Sequence, residues 1–250
     1  MLVAAAFLPH PPVLVPEVAA GAAPELAGVR EACALALQRV LAAEPDLVIV
    51  VGDDSKRSTY RAGARGSFAG FGVPVATALP GSASDGVGDG AERAGTRLPL
   101  SLAVGAWLMQ RGGPWPTVRG EGVPATMGSS DAASLGKQWA ASSERVALIV
   151  MGDGAATLTV KAPGYLVEGA EQWQKQVTQA LADADLSALR AITPADTSTV
   201  GAAGRVAWQV AAGAADGAAE QGDRWVGELL ADDAPYGVAY VVALWQRAPA

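Results

Sequence analysis

Three stretches of this chain are apolar at nearly every position rather than at alternate ones: Leu2 to Leu8, Leu47 to Val51 and Val146 to Met151. Unbroken apolar runs of this length, the second and third rich in β-branched residues, fit strands covered on both faces. Each run stops abruptly, at Pro9-His10-Pro11-Pro12, at Gly52-Asp53-Asp54 and at Gly152-Asp153-Gly154. Between the first two, residues 23–43 carry Leu26, Val29, Cys33, Leu37, Val40 and Leu41 near one face of a helix. Strand, helix and strand in that order predict a parallel pair joined by a right-handed crossover, and hence an α/β fold.

Further helices are predicted over residues 98–111, 131–141, 168–184 and 198–215. Residues 81–96 are rich in glycine and have no apolar period, which predicts a mobile loop with the character of a lid. Near the carboxyl end, Arg224 to Leu230 and Gly237 to Trp245 are two apolar runs joined by Ala231 to Tyr236. They fit a hairpin at a sheet edge, or a final strand placed centrally. No break in composition marks a domain boundary, so residues 1–250 are expected to form one domain.

Composition narrows the function classes. Hydrophobic residues make up 50% of the 250, enough for a sizeable core and too many for a disordered chain. A net charge of −7 without a Lys/Arg cluster argues against a nucleic-acid footprint or an anionic membrane surface. Cys33 is the single cysteine, which excludes an internal disulfide framework and fits a small core residue in a reducing compartment. The amino-terminal segment has no basic region ahead of its apolar run, and no apolar stretch reaches a membrane-spanning length. A cytoplasmic protein is expected. Tryptophans and the apolar closing strand fit a homodimer.

The ends of the three runs are the informative places. Ligands of open α/β sheets bind beyond the carboxyl ends of the strands, so His10, Asp53, Asp54 and Asp153 are candidates for one crevice. An imidazole with carboxylates can hold a divalent ion or position a water for acid–base work. On this reading His10, Asp53 and Asp54 are the candidate metal ligands, and His10, Asp54 and Asp153 the candidate catalytic residues. Aspartates after strands also cap helices and fix turns, which is the competing reading. Lys161 to Tyr165 fits either the rim of that crevice or a plain turn.

Four landmarks together resemble the LigB-like superfamily, the catalytic subunits of class III extradiol ring-cleavage dioxygenases and their MEMO relatives. They are Phe7 to Pro12, Asp46 to Asp54, Met151 to Ala156 and Ala234 to Tyr240, in that order and spread over nearly the whole chain. The resemblance implies a single domain with a mixed, mostly parallel central sheet flanked by helices on both faces. In active members, two histidines and a glutamate hold ferrous iron. The first histidine matches His10, but Asp53-Asp54-Ser55 stands where the second is expected. A further active-site histidine would fall near Ala156, and the glutamate has only Glu228, Asp232 and Asp233 as regional candidates.

One imidazole among carboxylates suits Mg²⁺, Mn²⁺ or Zn²⁺ better than the ferrous iron that catechol cleavage requires. Two readings follow. The first is a divergent LigB-like enzyme, an oxidoreductase or hydrolase using one divalent ion (Fe, Mn, Zn or Mg) on a small aromatic or polar molecule. The second is a non-catalytic member that keeps the fold and binds a metabolite or a protein partner in the crevice.

Overall fold

The computed structural model describes residues 1–81, 97–219 and 224–248, the side chains of 218 and 219 excepted. The stretch 81–96 expected to be a lid lies outside these residues apart from Gly81. In chain order the elements begin with β1 (Leu2–Leu8), α1 (Pro16–Ala19), α2 (Ala27–Ala42), β2 (Leu47–Asp53) and β3 (Ser58–Arg61). They continue with β4 (Arg65–Ser67), β5 (Ala76–Ala78), α3 (Leu100–Met109), β6 (Thr117–Val123), α4 (Ser129–Ala140) and β7 (Val146–Met151). The last are α5 (Ala170–Asp183), α6 (Leu186–Ala191), α7 (Pro194–Val200), α8 (Arg205–Ala219), β8 (Trp225–Asp233) and β9 (Tyr240–Arg247).

Seven strands form one mixed sheet in the order β3-β6-β2-β7-β1-β9-β8, and β4 pairs with β5 separately. The four at its centre, β6, β2, β7 and β1, run parallel, while β3 and β9 pair antiparallel to their neighbours. The expected α/β architecture, with helices on both faces, is therefore what the chain forms. On β7, Ala147, Ile149 and Met151 enter the core shared with α2 and α3, whereas Val146, Leu148 and Val150 enter the core shared with α4, α5 and α8. A strand clamped from both sides has no solvent-facing position, which is why its sequence shows no alternation. No helix among the described residues is long and apolar enough to cross a membrane.

Two glycines let helices reach the strand ends. A Cβ on Gly52 would lie 2.7 Å from Ser101 Oγ, the hydroxyl that donates to the Asp53 carbonyl at 2.7 Å. A Cβ on Gly152 would lie 2.7 Å from Gly204 Cα, at the start of α8. Any side chain at either place would push a helix off the carboxyl edge of the sheet.

Several expectations change. The helix expected over 198–215 is two helices, because Gly201 takes φ +67° and ends α7 before α8 begins at Arg205. The helix expected from residue 23 starts at Ala27, after a tighter turn that contains Pro24. Both readings of the carboxyl end apply in part: β8 and β9 are a hairpin, with β8 at the edge and β9 between β8 and β1. Strand β6 escaped the apolar pattern altogether, since TVRGEGV has neither an apolar run nor strict alternation. Lys161 to Tyr165 forms turns, with Ala162 N–H on the Thr159 carbonyl and Tyr165 N–H on the Ala162 carbonyl.

Candidate functional site

β1, β7 and β2 are neighbours, so the residues following them meet at one edge of the sheet. Gly152 N–H donates to the Leu8 carbonyl at 2.9 Å, extending the ladder one step beyond β7. This brings Asp153 beside His10. The His10 backbone N–H donates to Asp153 Oδ1 at 2.7 Å, and His10 Nε2 lies 3.7 Å from Asp153 Oδ2. His10 is only 7% exposed. Its Nδ1 is buried and has no hydrogen-bond partner among the described residues. The flanking prolines leave the backbone here little freedom, so the ring is held by its main chain as well as by Asp153.

Asp53 closes the group from β2. Burial, its largest influence, pushes the carboxyl up to about 6, and Asp153 adds to the rise while His10 and Arg205 oppose it. Arg205 is the first residue of α8 and only 4% exposed. Its guanidinium donates to Gln209 Oε1 at 2.8 Å and to the carbonyls of Ala125 and Met127 at 2.6 and 2.9 Å. It thus pins the loop after β6 to the start of α8 while presenting positive charge to Asp53. Tyr240, at the start of β9, is buried, and its phenol is pushed above the ordinary value by burial first and then by Asp153. It therefore stays neutral and keeps its proton to donate.

Asp54 does not join them. Its Oδ2 accepts from the Tyr60 hydroxyl at 2.7 Å and its Oδ1 from Ser55 N–H at 2.6 Å. Burial pushes the Asp54 carboxyl up, but these hydrogen bonds outweigh it and hold the group below its ordinary range. Successive residues of an extended chain project to opposite sides. Asp53 therefore turns to His10, while Asp54 turns to the β3–β6 edge against Gly122. The shared His10–Asp54 site expected from the chain is not formed, and Asp53 occupies that place.

Among the described residues, no group of three or more His, Cys, Asp or Glu side chains is arranged to hold a metal ion. The ligand set His10, Asp53 and Asp54 is split by the divergence just described. The ferrous donor set implied by the resemblance does not fit either. Glu228 lies on β8, two strands from β1, and is paired with Arg39. Asp233 accepts from Ala234 N–H, and Asp232 is exposed on β8 near Thr178. Cys33 is fully buried, with its thiol pushed up to about 12 by burial, as suits an inert core residue.

Arg205 and Tyr240 are the residues of this group that a reading of the chain did not single out for a role. The available signal was one arginine opening a mostly apolar helix, RVAWQVAAGAADGAA, whose charge needed a buried partner.

The Asp53 shift has a consequence for stability. The folded carboxyl, near 6, lies above the value of 3.8 for an unperturbed aspartate. The native state therefore holds the proton more tightly than the unfolded chain. This contribution is fully present below the unfolded value and is lost as pH rises through the folded one. Above that window, the ionised carboxylate costs roughly 3 kcal/mol. Asp53→Asn is expected to unfold at higher urea than the wild type at pH 7.5 and at nearly the same urea at pH 4. Equal midpoints at pH 7.5 would refute the burial described.

No family model matches the sequence, and no curated protein matches it. The structure is similar to the crystal structure of uncharacterized protein JW3007 from Escherichia coli K12, with a TM-score of 0.58 and 14% identity. The likeness covers 98% of this chain and 99% of that one, and so extends to the fold as a whole.

Proposed function

We propose that the strand-end crevice binds a small polar or aromatic molecule and moves a proton on it, with His10 as base and Asp53 as acid. The observation that carries this reading is the pairing of a half-buried carboxyl, held near 6, with a buried imidazole whose Nδ1 is unused. Asp153 faces Nε2, and a carboxylate there favours the tautomer with the proton on Nε2. The lone pair then falls on Nδ1, where it can accept a proton from a bound molecule. At 3.7 Å the contact is longer than a hydrogen bond, and it has room to tighten when a ligand excludes water. Asp53 can return a proton to the same molecule, and Tyr240 can donate a hydrogen bond to an oxygen that gains charge. The four landmarks make the chain a divergent relative of LigB-like proteins on this reading, one whose residues do not supply the ferrous donor set.

The test is proton exchange in D₂O, followed by NMR with EDTA present, over a panel of small hydroxy acids, hydroxy ketones and phenols. Exchange of a carbon-bound proton is expected with at least one compound, slowed about 100-fold in His10→Ala. The rate should fall as pH rises through about 6, where Asp53 loses its proton. Saturable binding without exchange would replace this reading with a non-catalytic binding role. Exchange that requires an added divalent ion would also overturn it.

A further inference from the structure

A cavity of about 510 Å³ lies between α5 and the α6–α7 pair. None of its lining residues belongs to the strand-end group. Its apolar wall comes from Trp173, Val177, Ala180 and Ile192. Three carboxylates, Asp183, Asp185 and Asp196, stand around that wall, and no lining residue is Lys, Arg or His.

The neighbouring cations are committed elsewhere. Lys175 pairs with Glu171, and Arg190 with Asp216. Each aspartate is also anchored through one oxygen only. Asp183 Oδ2 accepts from Gln179 Nε2 at 2.7 Å, and Asp185 Oδ1 accepts from the backbone N–H groups of Ser187 and Ala188. Asp196 Oδ2 accepts from the Thr193 N–H and hydroxyl. The second oxygen of each has no hydrogen-bond partner among the described residues. The rim therefore carries three carboxylates, each with one oxygen left unbonded, beside an apolar wall that includes an indole.

From this the geometry points to a binding site for a small organic cation with an apolar body, a primary or quaternary ammonium. Its charged head would sit among the aspartates and its body against Trp173. The volume lies within the range of single small-molecule sites, which sets the scale of the occupant below that of a protein segment. An indole face adds cation–π attraction to the pull of the carboxylates. A neutral molecule of the same shape gains only the apolar contact, and an anion is repelled.

The experiment is an NMR titration of the ¹⁵N-labelled full chain, following the Trp173 indole signal assigned with Trp173→Phe. The probes are phenethylamine, its trimethylammonium form, neutral 2-phenylethanol and 3-phenylpropionate. Both cations are expected to saturate the signal, with the alcohol at least about tenfold weaker and the carboxylate inert. Added salt should weaken the cations and leave the alcohol unchanged. Asp183→Asn should weaken the cations several-fold. Asp183 bonds only to the side chain of the exposed Gln179, so this variant keeps the fold, and its melting temperature checks that point. Absence of saturation by either cation at about 5 mM, or equal binding of the alcohol, overturns the proposal.

Discussion

Arg205→Met is expected to cost about 4 kcal/mol of stability, measured by urea unfolding at pH 7. Methionine nearly matches the volume of the stem, so the loss comes from the guanidinium. Its removal strands the carbonyls of Ala125 and Met127 and the Oε1 of Gln209, all gathered around a residue only 4% exposed. A buried acceptor left without a donor loses its hydration and gains nothing in return. Gln209 is itself a junction, since its Nε2 donates to the carbonyls of Leu189, Arg190 and Ile192. Loosening it frees the end of α6 as well as the loop after β6.

The same substitution removes the positive charge that holds the Asp53 carboxyl down. In Arg205→Met the pH window over which Asp53 affects stability should therefore move upward from its wild-type position near 6. A variant as stable as the wild type, with an unmoved window, would remove Arg205 from the site. Arg205→Lys keeps the charge but not the fork of donors, so it should hold the window and lose part of the stability.

A single methyl group placed between α4 and α8 is expected to be nearly as damaging. These helices cross at Gly136 and Gly213. A Cβ on Gly213 would strike the carbonyl oxygen of Ala133 and come within 2.6 Å of its carbonyl carbon. A Cβ on Gly136 would strike the Val210 carbonyl oxygen and come within 2.7 Å of Ala214 N. The atoms in the way are backbone, so relief requires the helices to separate. That opens the contacts of Leu135, Trp139, Val210 and Ala211 in the same core. Gly213→Ala should cost about 3 kcal/mol even though alanine is the better helix former.

Gly217→Ala, one turn further along α8, is the matched control. There the nearest atom is Lys137 Cγ at 3.3 Å, part of a flexible side chain that can move aside. That variant should be neutral or stabilised by up to about 1 kcal/mol. If both substitutions behaved alike, helix propensity rather than close approach would govern α8. Because α8 starts at Arg205, a shift of this helix should also disturb the Asp53 window.

Much of the fold can be read from the chain because the central strands are buried on both faces. Leu2 to Leu8 and Val146 to Met151 are apolar throughout for that reason, and their ends are marked by proline, glycine and aspartate. The same reasoning failed for β6. Its Gly120 and Gly122 are there because neighbours stand close, namely Leu79 and Tyr60 at the first and the Asp54 carboxylate at the second. Such a contact leaves no periodic trace. Within α8, the helix expected from residue 198 could not be separated from α7 by apolar pattern. The break comes from the left-handed backbone at Gly201.

The candidate site divides along similar lines. Its location beyond the strand ends follows from the chain, since Asp53 is the last residue of its strand and His10 and Asp153 each come two residues after theirs. Which of two adjacent aspartates faces the imidazole does not, because that depends on the register of β2 against β6 and β7. The chain alone determined an α/β sheet with titratable residues at its carboxyl edge, because burial on both faces and chain breakers act locally. Only the tertiary structure turned Asp53 inward and Asp54 outward, and brought Arg205 and Tyr240 to the group. Those contacts join residues far apart in the chain, and the pattern around each one does not encode its partner.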